Sequence, residues 1–292
     1  MANLKEIRNR ISSVGSTMQI TSAMKMVSAA KLKRAQDAIV QMRPYAVKLK
    51  EILTNLSATL DLSENAFSEE RDGGKTLYVG ISSNRGLCGG FNNNIVKRVN
   101  ESIKMENNVN DVHVFCLGKK VRDVFRRTDL FYTNEYLTER ENVYADLTFE
   151  NVSEVANELM ELYKSGAFNR IYVVYNRFVN AATQRVETEQ FLPIQAPEED
   201  IEAVVSGDYI FEPSKEEIIE DLIPKSLKVQ LFKAILDSNA AEHGARMTAM
   251  HKATDNASEL QKSLKLSYNK ARQAAITNEI LEIVGGAEAL NA

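Results

Sequence analysis

Few cysteines, few histidines and no long apolar run set the first limits on this chain of 292 residues. No stretch approaches 18 uninterrupted apolar residues, which excludes a membrane-spanning helix. The opening MANLKEIRNR lacks the apolar core of a secretory signal, so the protein is expected to act in the compartment where it is made. The two cysteines, Cys88 and Cys116, and the three histidines, His113, His243 and His251, stand at no metal-ligand spacing. That argues against a zinc-type cluster and leaves both cysteines as small apolar core residues. No GxGxxG occurs, nor GxxxxGK followed by Ser or Thr, so neither a dinucleotide fingerprint nor a phosphate-binding P-loop is supported.

Proline and glycine are scarce at both ends, and their scarcity there is the strongest structural signal. The first 58 residues hold one proline, Pro44, and one glycine, Gly15. Alternating steps of three and four from Leu4 pass through Ile7, Ile11, Val14, Met18, Thr21, Lys25, Ser28, Leu32, Ala35, Ile39, Met42, Ala46, Leu49, Leu53, Leu56 and Leu60. All but Thr21, Lys25 and Ser28 are apolar, which is the seam of a coiled coil. At those three positions the apolar residues move to Ile20, Met24, Val27 and Ala30, so the stripe is expected to rotate around the helix. A helix of about 55 residues is roughly 80 Å long and needs a partner to cover its seam.

The last arm offers that partner. Pro224 is placed near its start and Gly285-Gly286 at its end, with Gly244 the one internal glycine, giving an arm about as long as the first. Its seam reads Met250, Ala253 or Thr254, Ala257, Leu260, Leu264, Ser267 or Tyr268, Ala271, Ala274 or Ala275, Asn278 and Leu281; small residues allow close approach. Arg246, Asp255, Arg272, Gln273 and Glu279 are expected off the seam on a solvated face. With a compact region between them, the two arms are expected to pair antiparallel.

Residues 59–224 separate the arms. Short apolar runs at 76–82, 111–118 and 170–179, with helical patterns between them and a further strand over 185–194, give the βαβ signature of a small layered sheet. The fold class is therefore α/β with long helices: an antiparallel coiled coil of the terminal helices plus an inserted small Rossmann-like α/β domain. The expected divisions are 1–58, 59–224 and 225–292. Residues 1–58 carry ten Lys or Arg against three acidic residues, while an acidic segment closes the middle, so arms and middle differ in charge. The turn SNRGLCGGFN reads as a tight delivery of the chain to a helix N-terminus; if an anion sat there, Asn84 and Arg85 would serve it.

TSAMKMVSAAKLKRAQ (21–36), SNRGLCGGFN (83–92), ARMTAMHKATDNASEL (245–260) and YNKARQAAITNEILEIVGGAEAL (268–290) resemble the signature stretches of the gamma subunit of the F-type ATP synthase, bacterial type, in that family's order. The resemblance implies a central-stalk rotor, itself non-catalytic and without a cofactor. It would turn inside three alpha and three beta subunits and bind the epsilon subunit and the c-subunit ring. It implies a peripheral place on the cytoplasmic face of the bacterial inner membrane, reached through the ring, and coupling of transmembrane proton or other ion flow to ATP synthesis. By the same resemblance, Met24 and Lys25 lie beside a moving beta-subunit segment and Arg246 bears on coupling. Arg272, Gln273, Thr277 and Glu279 match upper-shaft contacts, and Tyr209 and Glu212 match residues near the c ring. Asn84 departs from the family's usual Asp. A coiled-coil nucleic-acid-binding protein is the alternative raised by the basic first arm, but no recognition motif accompanies it and the middle is acidic.

Overall fold

The computed structural model describes residues 4–57, 66–71, 73–106, 108–140, 143–194 and 215–291. The chain forms two compact units, Met1–Ser28 with Met247–Ala292, and Ala29–Arg246. Helices α1 (Leu4–Ser57) and α6 (Lys215–Asn291) contribute a segment to each.

In the first unit α1 and α6 run antiparallel. A Cβ placed on Gly15 would lie 3.0 Å from the Gln261 amide, Thr21 meets Thr254 at 2.8 Å, and Lys25 Nζ lies 3.4 Å from His251 Nδ1. As the number rises along one helix, it falls by nearly the same amount along the other. Leu4, Ile7, Ile11, Val14, Met18, Thr21, Lys25 and Ser28 are all buried or half-buried. The expected rotation of the stripe therefore does not occur: Thr21 and Ser28 (2% exposed) stay in the seam, while Ile20 (60%) and Val27 (57%) face outward. Hydrogen bonding is the reason. Thr21 and Thr254 each reach a carbonyl of their own helix, Met18 O at 3.1 Å and Met250 O at 2.8 Å, as well as each other. Two hydroxyl protons serve three contacts, so one bridges the helices and the other returns to the backbone.

The seam of α6 differs from the expected one at Leu260, which is exposed while Gln261 takes the inward place opposite Gly15. A glycine leaves room that a long amide fills. Asn278 and Leu281 are exposed as well. Neither expected boundary of the last arm holds: α6 begins at Lys215, passes through Pro224 and continues through Gly285 and Gly286 to Asn291. At 77 residues it is longer than the 54 of α1. Proline removes one helical hydrogen bond. Ile223 and Leu227, anchored in the core on either side, hold the turn together. A glycine pair weakens a helix by about 1 kcal/mol per residue without forcing it to end.

The second unit carries a four-stranded sheet in the order β2-β1-β3-β4, with β1 (Thr76–Ile81), β2 (Val112–Leu117), β3 (Arg170–Phe178) and β4 (Gln184–Leu192). β1 is parallel to β2 and β3, and β4 returns antiparallel beside β3. Side chains alternate between two cores, as strand geometry requires. Leu77, Val79, Phe115, Leu117, Ile171 and Val173 face α5 (Phe149–Lys164) and the Ile223, Leu227, Leu231 and Ile235 stripe of α6. Tyr78, Val114, Cys116 and Val174 face α2 (Phe91–Met105) and α3 (Lys119–Phe125). The short α4 (Glu135–Arg140) adds Leu137 to the first core. Both cysteines are buried and outside any disulfide, Cys116 within β2.

Candidate functional site

Within the second unit, the turn after β1 is fixed onto α6 by a chain of polar contacts. Asn92, in the first turn of α2, accepts from Ser83 N–H at 3.0 Å and donates to the Cys88 thiol at 3.1 Å. Asn84 Oδ1 accepts from Lys119 N–H at 3.0 Å, so the residue proposed for an anion site is committed to the start of α3. Arg85 is exposed, and its carbonyl is turned inward. Cys88 and Phe91 pack on Ala241 and Ala245 of α6. The small side chains of Ala241 and Ala245 let the turn approach the helix; Gly244 instead faces the connection after β3, where a Cβ would come within 3.2 Å of Ala181 Cα.

Arg246 closes this contact. It is 7% exposed, not on the solvated face expected from its spacing. Its guanidinium meets Glu242 one turn back at 2.7 Å and donates to the carbonyls of Arg85, at 3.2 Å, and Gly86, at 3.4 Å. A planar fork with several fixed donors can satisfy a carboxylate and two carbonyls at once, which an ammonium cannot do in the same geometry. Arg246 is buried because the turn covers this part of α6, which a helical-seam count does not include. Burial holds the Glu242 carboxyl above the usual carboxylate range, although Arg246, Lys31 and Arg85 pull it down. His243 is lowered to about 4 by burial and by Arg246 and Lys31, so it is neutral near pH 7. Its Nδ1, 3.4 Å from Arg246 Nη1, then faces the guanidinium as an acceptor.

The remaining expected site residues are dispersed. Met24 is half-buried on α1 and Lys25 lies against His251. Arg272, Gln273, Thr277 and Glu279 are exposed on α6, where the Thr277 hydroxyl donates to Gln273 O at 2.9 Å. Tyr209 and Glu212 lie outside the described residues. Two residues of the turn contact were not singled out by sequence. Glu242 is visible as the acidic partner four residues before Arg246 within the run AAEHGAR, a buried-pair signal once its small neighbours are noticed. Leu87 has a left-handed backbone, φ 62°, that no residue type at that position announces.

A family model described as ATP synthase matches residues 3–290. The ATP synthase gamma chain of Flavobacterium psychrophilum is 62% identical over 291 residues, covering 99% of each chain. That of Flavobacterium johnsoniae is 60% identical over 292 residues, covering both chains in full. A chain in the structure of the Euglena gracilis mitochondrial ATP synthase OSCP/F1/c-ring has the same fold, with TM-score 0.65 and 23% identity over 98% of this chain and 94% of that one. An extended antiparallel helix pair, a four-stranded sheet unit and sequence identity along the whole length converge on one conclusion: this chain belongs to the family of ATP synthase gamma chains.

Proposed function

We propose that this chain is the central-stalk rotor of a bacterial F-type ATP synthase. It turns within three alpha and three beta subunits, binds the epsilon subunit and the c ring, and couples transmembrane ion flow to ATP synthesis or hydrolysis. The observation that carries the reading is the helix pair of the first unit. Its seam is closed internally by Thr21, Ser28 and Thr254, while Ile20, Met26 and Val27 point outward. A coiled coil that closes part of its seam with polar groups and leaves several large apolar side chains outside is suited to being surrounded. Methionine and β-branched side chains form shallow contacts that can succeed one another during rotation without a single trapping fit.

On this reading the chain supports nucleotide chemistry in its partners and is itself non-catalytic. None of the described helices is long and apolar enough to cross a membrane. By the same reading the chain is held at the cytoplasmic face of the inner membrane through the ring. The expected divisions at 1–58, 59–224 and 225–292 are proposed as shaft, ring-side head and returning shaft, with the last helix itself starting at Lys215. Met24 and Lys25, close in sequence to the outward Ile20, Met26 and Val27, are proposed to face a moving segment of a beta subunit. Arg272, Gln273, Thr277 and Glu279 present polar groups near the far end of α6, and Tyr209 and Glu212 are proposed as ring contacts on the family resemblance. No observation favours the nucleic-acid alternative.

Mixing the purified chain with alpha and beta subunits tests the reading. A seven-chain assembly with raised ATPase turnover is expected, and its absence would end the proposal. Met24→Lys places a second cation beside Lys25, and in membranes it should lower ATP synthesis while the complex still assembles. Equal synthesis in the variant and the parent would remove Met24 from the coupling surface.

A further inference from the structure

Leu87 has two features that rarely occur together. Its backbone is left-handed at φ 62°, and its side chain is 63% exposed. A leucine with positive φ is strained and persists only where its surroundings impose the conformation. An exposed side chain cannot impose it, so the constraint must come from the backbone on either side. On one side the carbonyls of Arg85 and Gly86 are gripped by the Arg246 guanidinium, itself fixed by Glu242. On the other the buried Cys88 thiol is held by Asn92 and packed on Ala241 and Ala245.

We propose that Glu242 is a positioning residue for coupling: through Arg246 it locks the turn 85–88 onto α6 and holds Leu87 out as a rigid apolar knob for a surrounding subunit. This deepens the rotor reading and rests on it for the purpose of the knob, but not for the lock. The chain of cause is short. With Glu242 ionised, the guanidinium lies across one helical turn with its remaining donors aimed at the two carbonyls. Without that charge the fork is free to swing, the carbonyls lose their donor, and the turn relaxes toward an unstrained backbone. Force applied at Leu87 by a neighbour would then bend the turn before it reached α6.

Cys88 reports the state of the lock and Cys116 provides the control. Both are buried and outside any disulfide, but Cys88 lies under the turn and Cys116 within β2. Alkylation of the full-length chain by a small maleimide is followed at both sites by mass spectrometry, in wild type, Glu242→Gln and Arg246→Lys. The lysine variant keeps the charge but loses the fork. We expect Cys88 to react at least tenfold faster in both variants with Cys116 unchanged. Cys88 rates within twofold of wild type, or Cys88 and Cys116 rising together as in general unfolding, would overturn the lock. A second measurement addresses the knob. In complexes assembled in vesicles, Leu87→Gly is expected to reduce the ions moved per ATP hydrolysed by threefold or more; a ratio equal to wild type would overturn its part in coupling. The alkylation result stands on the chain alone, so a failure of the lock is separable from a failure of the rotor reading.

Discussion

Asp237 and His243, six residues apart on α6, are held away from their ordinary ionisation in opposite directions. Asp237 is raised to about 6, first by burial and further by Glu189 and Glu187, against the pull of Lys233 and Arg177. The folded protein therefore binds the Asp237 proton more tightly than the unfolded chain. This side chain costs stability at all pH values above about 6, and the cost disappears as the pH falls toward 4. His243, lowered to about 4, has the opposite effect: it costs nothing above pH 6.5 and progressively destabilises the fold as the pH falls toward 4. Each effect is at most about 3 kcal/mol, less for the half-buried imidazole because water screens it. Between pH 6.5 and 4 the two oppose each other in the wild type. Asp237→Asn removes one of them, so the variant should be more stable than wild type by roughly 2 kcal/mol at pH 7.5 and lose that advantage by pH 4. Thermal unfolding at the two pH values measures it. A variant no more stable at pH 7.5 would show that Asp237 gains as much from Lys233 and Arg177 as burial takes away.

The elements differ in how far a sequence reveals them. The sheet was legible because β1, β2 and β3 are short apolar runs bounded by turns, and the 3.5-residue seam of α1 was legible because it spans many turns. Periodicity misled where polar residues satisfy one another inside the seam, as at Thr21 and Thr254, and where a turn from elsewhere in the chain covers a helix face, as over Arg246. It also misled at Pro224 and Gly285, because such residues weaken a helix without forcing it to end. Two glycines separate the cases by sign. Gly118, between β2 and α3, has φ +105°, and a Cβ there would lie 2.1 Å from Ser82 O. That carbonyl belongs to the staple between strand ends in which Ser82 N–H donates to Leu117 O and Val121 N–H to Ser82 Oγ. Gly118→Ala should cost about 3 kcal/mol or more, since both conformation and space forbid it. Gly285, inside α6 with nothing within 4 Å of a Cβ, should gain about 0.5–1 kcal/mol when changed to Ala. Denaturant unfolding of both variants checks the pair; equal signs would contradict the local geometry assigned to one of them.

For the whole molecule, the unequal lengths of α1 and α6 matter most. Extending the register of Gly15 with Gln261 and Thr21 with Thr254 puts Leu4 opposite about residue 272. Half-burial along α6 ends close by, at Ala271 and Ala275. Beyond that point Ile276, Ile280, Leu281, Ile283 and Val284 are all exposed, without a described stretch of α1 beside them. An apolar helix end of this kind gains nothing in the isolated chain and is costly in water, so its stabilisation has to come from the surrounding subunits of the rotor reading. Polar substitutions there should separate stability from function. Ile280→Lys combined with Ile283→Lys is expected to leave the melting of the purified chain unchanged, because exposed sites without contacts shift stability by only about 0.5 kcal/mol. In the assembly the same pair would bring two ammonium groups into an apolar surround and should weaken association with the alpha and beta subunits or slow ATP turnover. Melting of the chain and turnover of the reconstituted complex are measured side by side. Turnover equal to wild type would mean that this end of α6 remains in water even in the assembled machine, and that its apolar residues need another explanation.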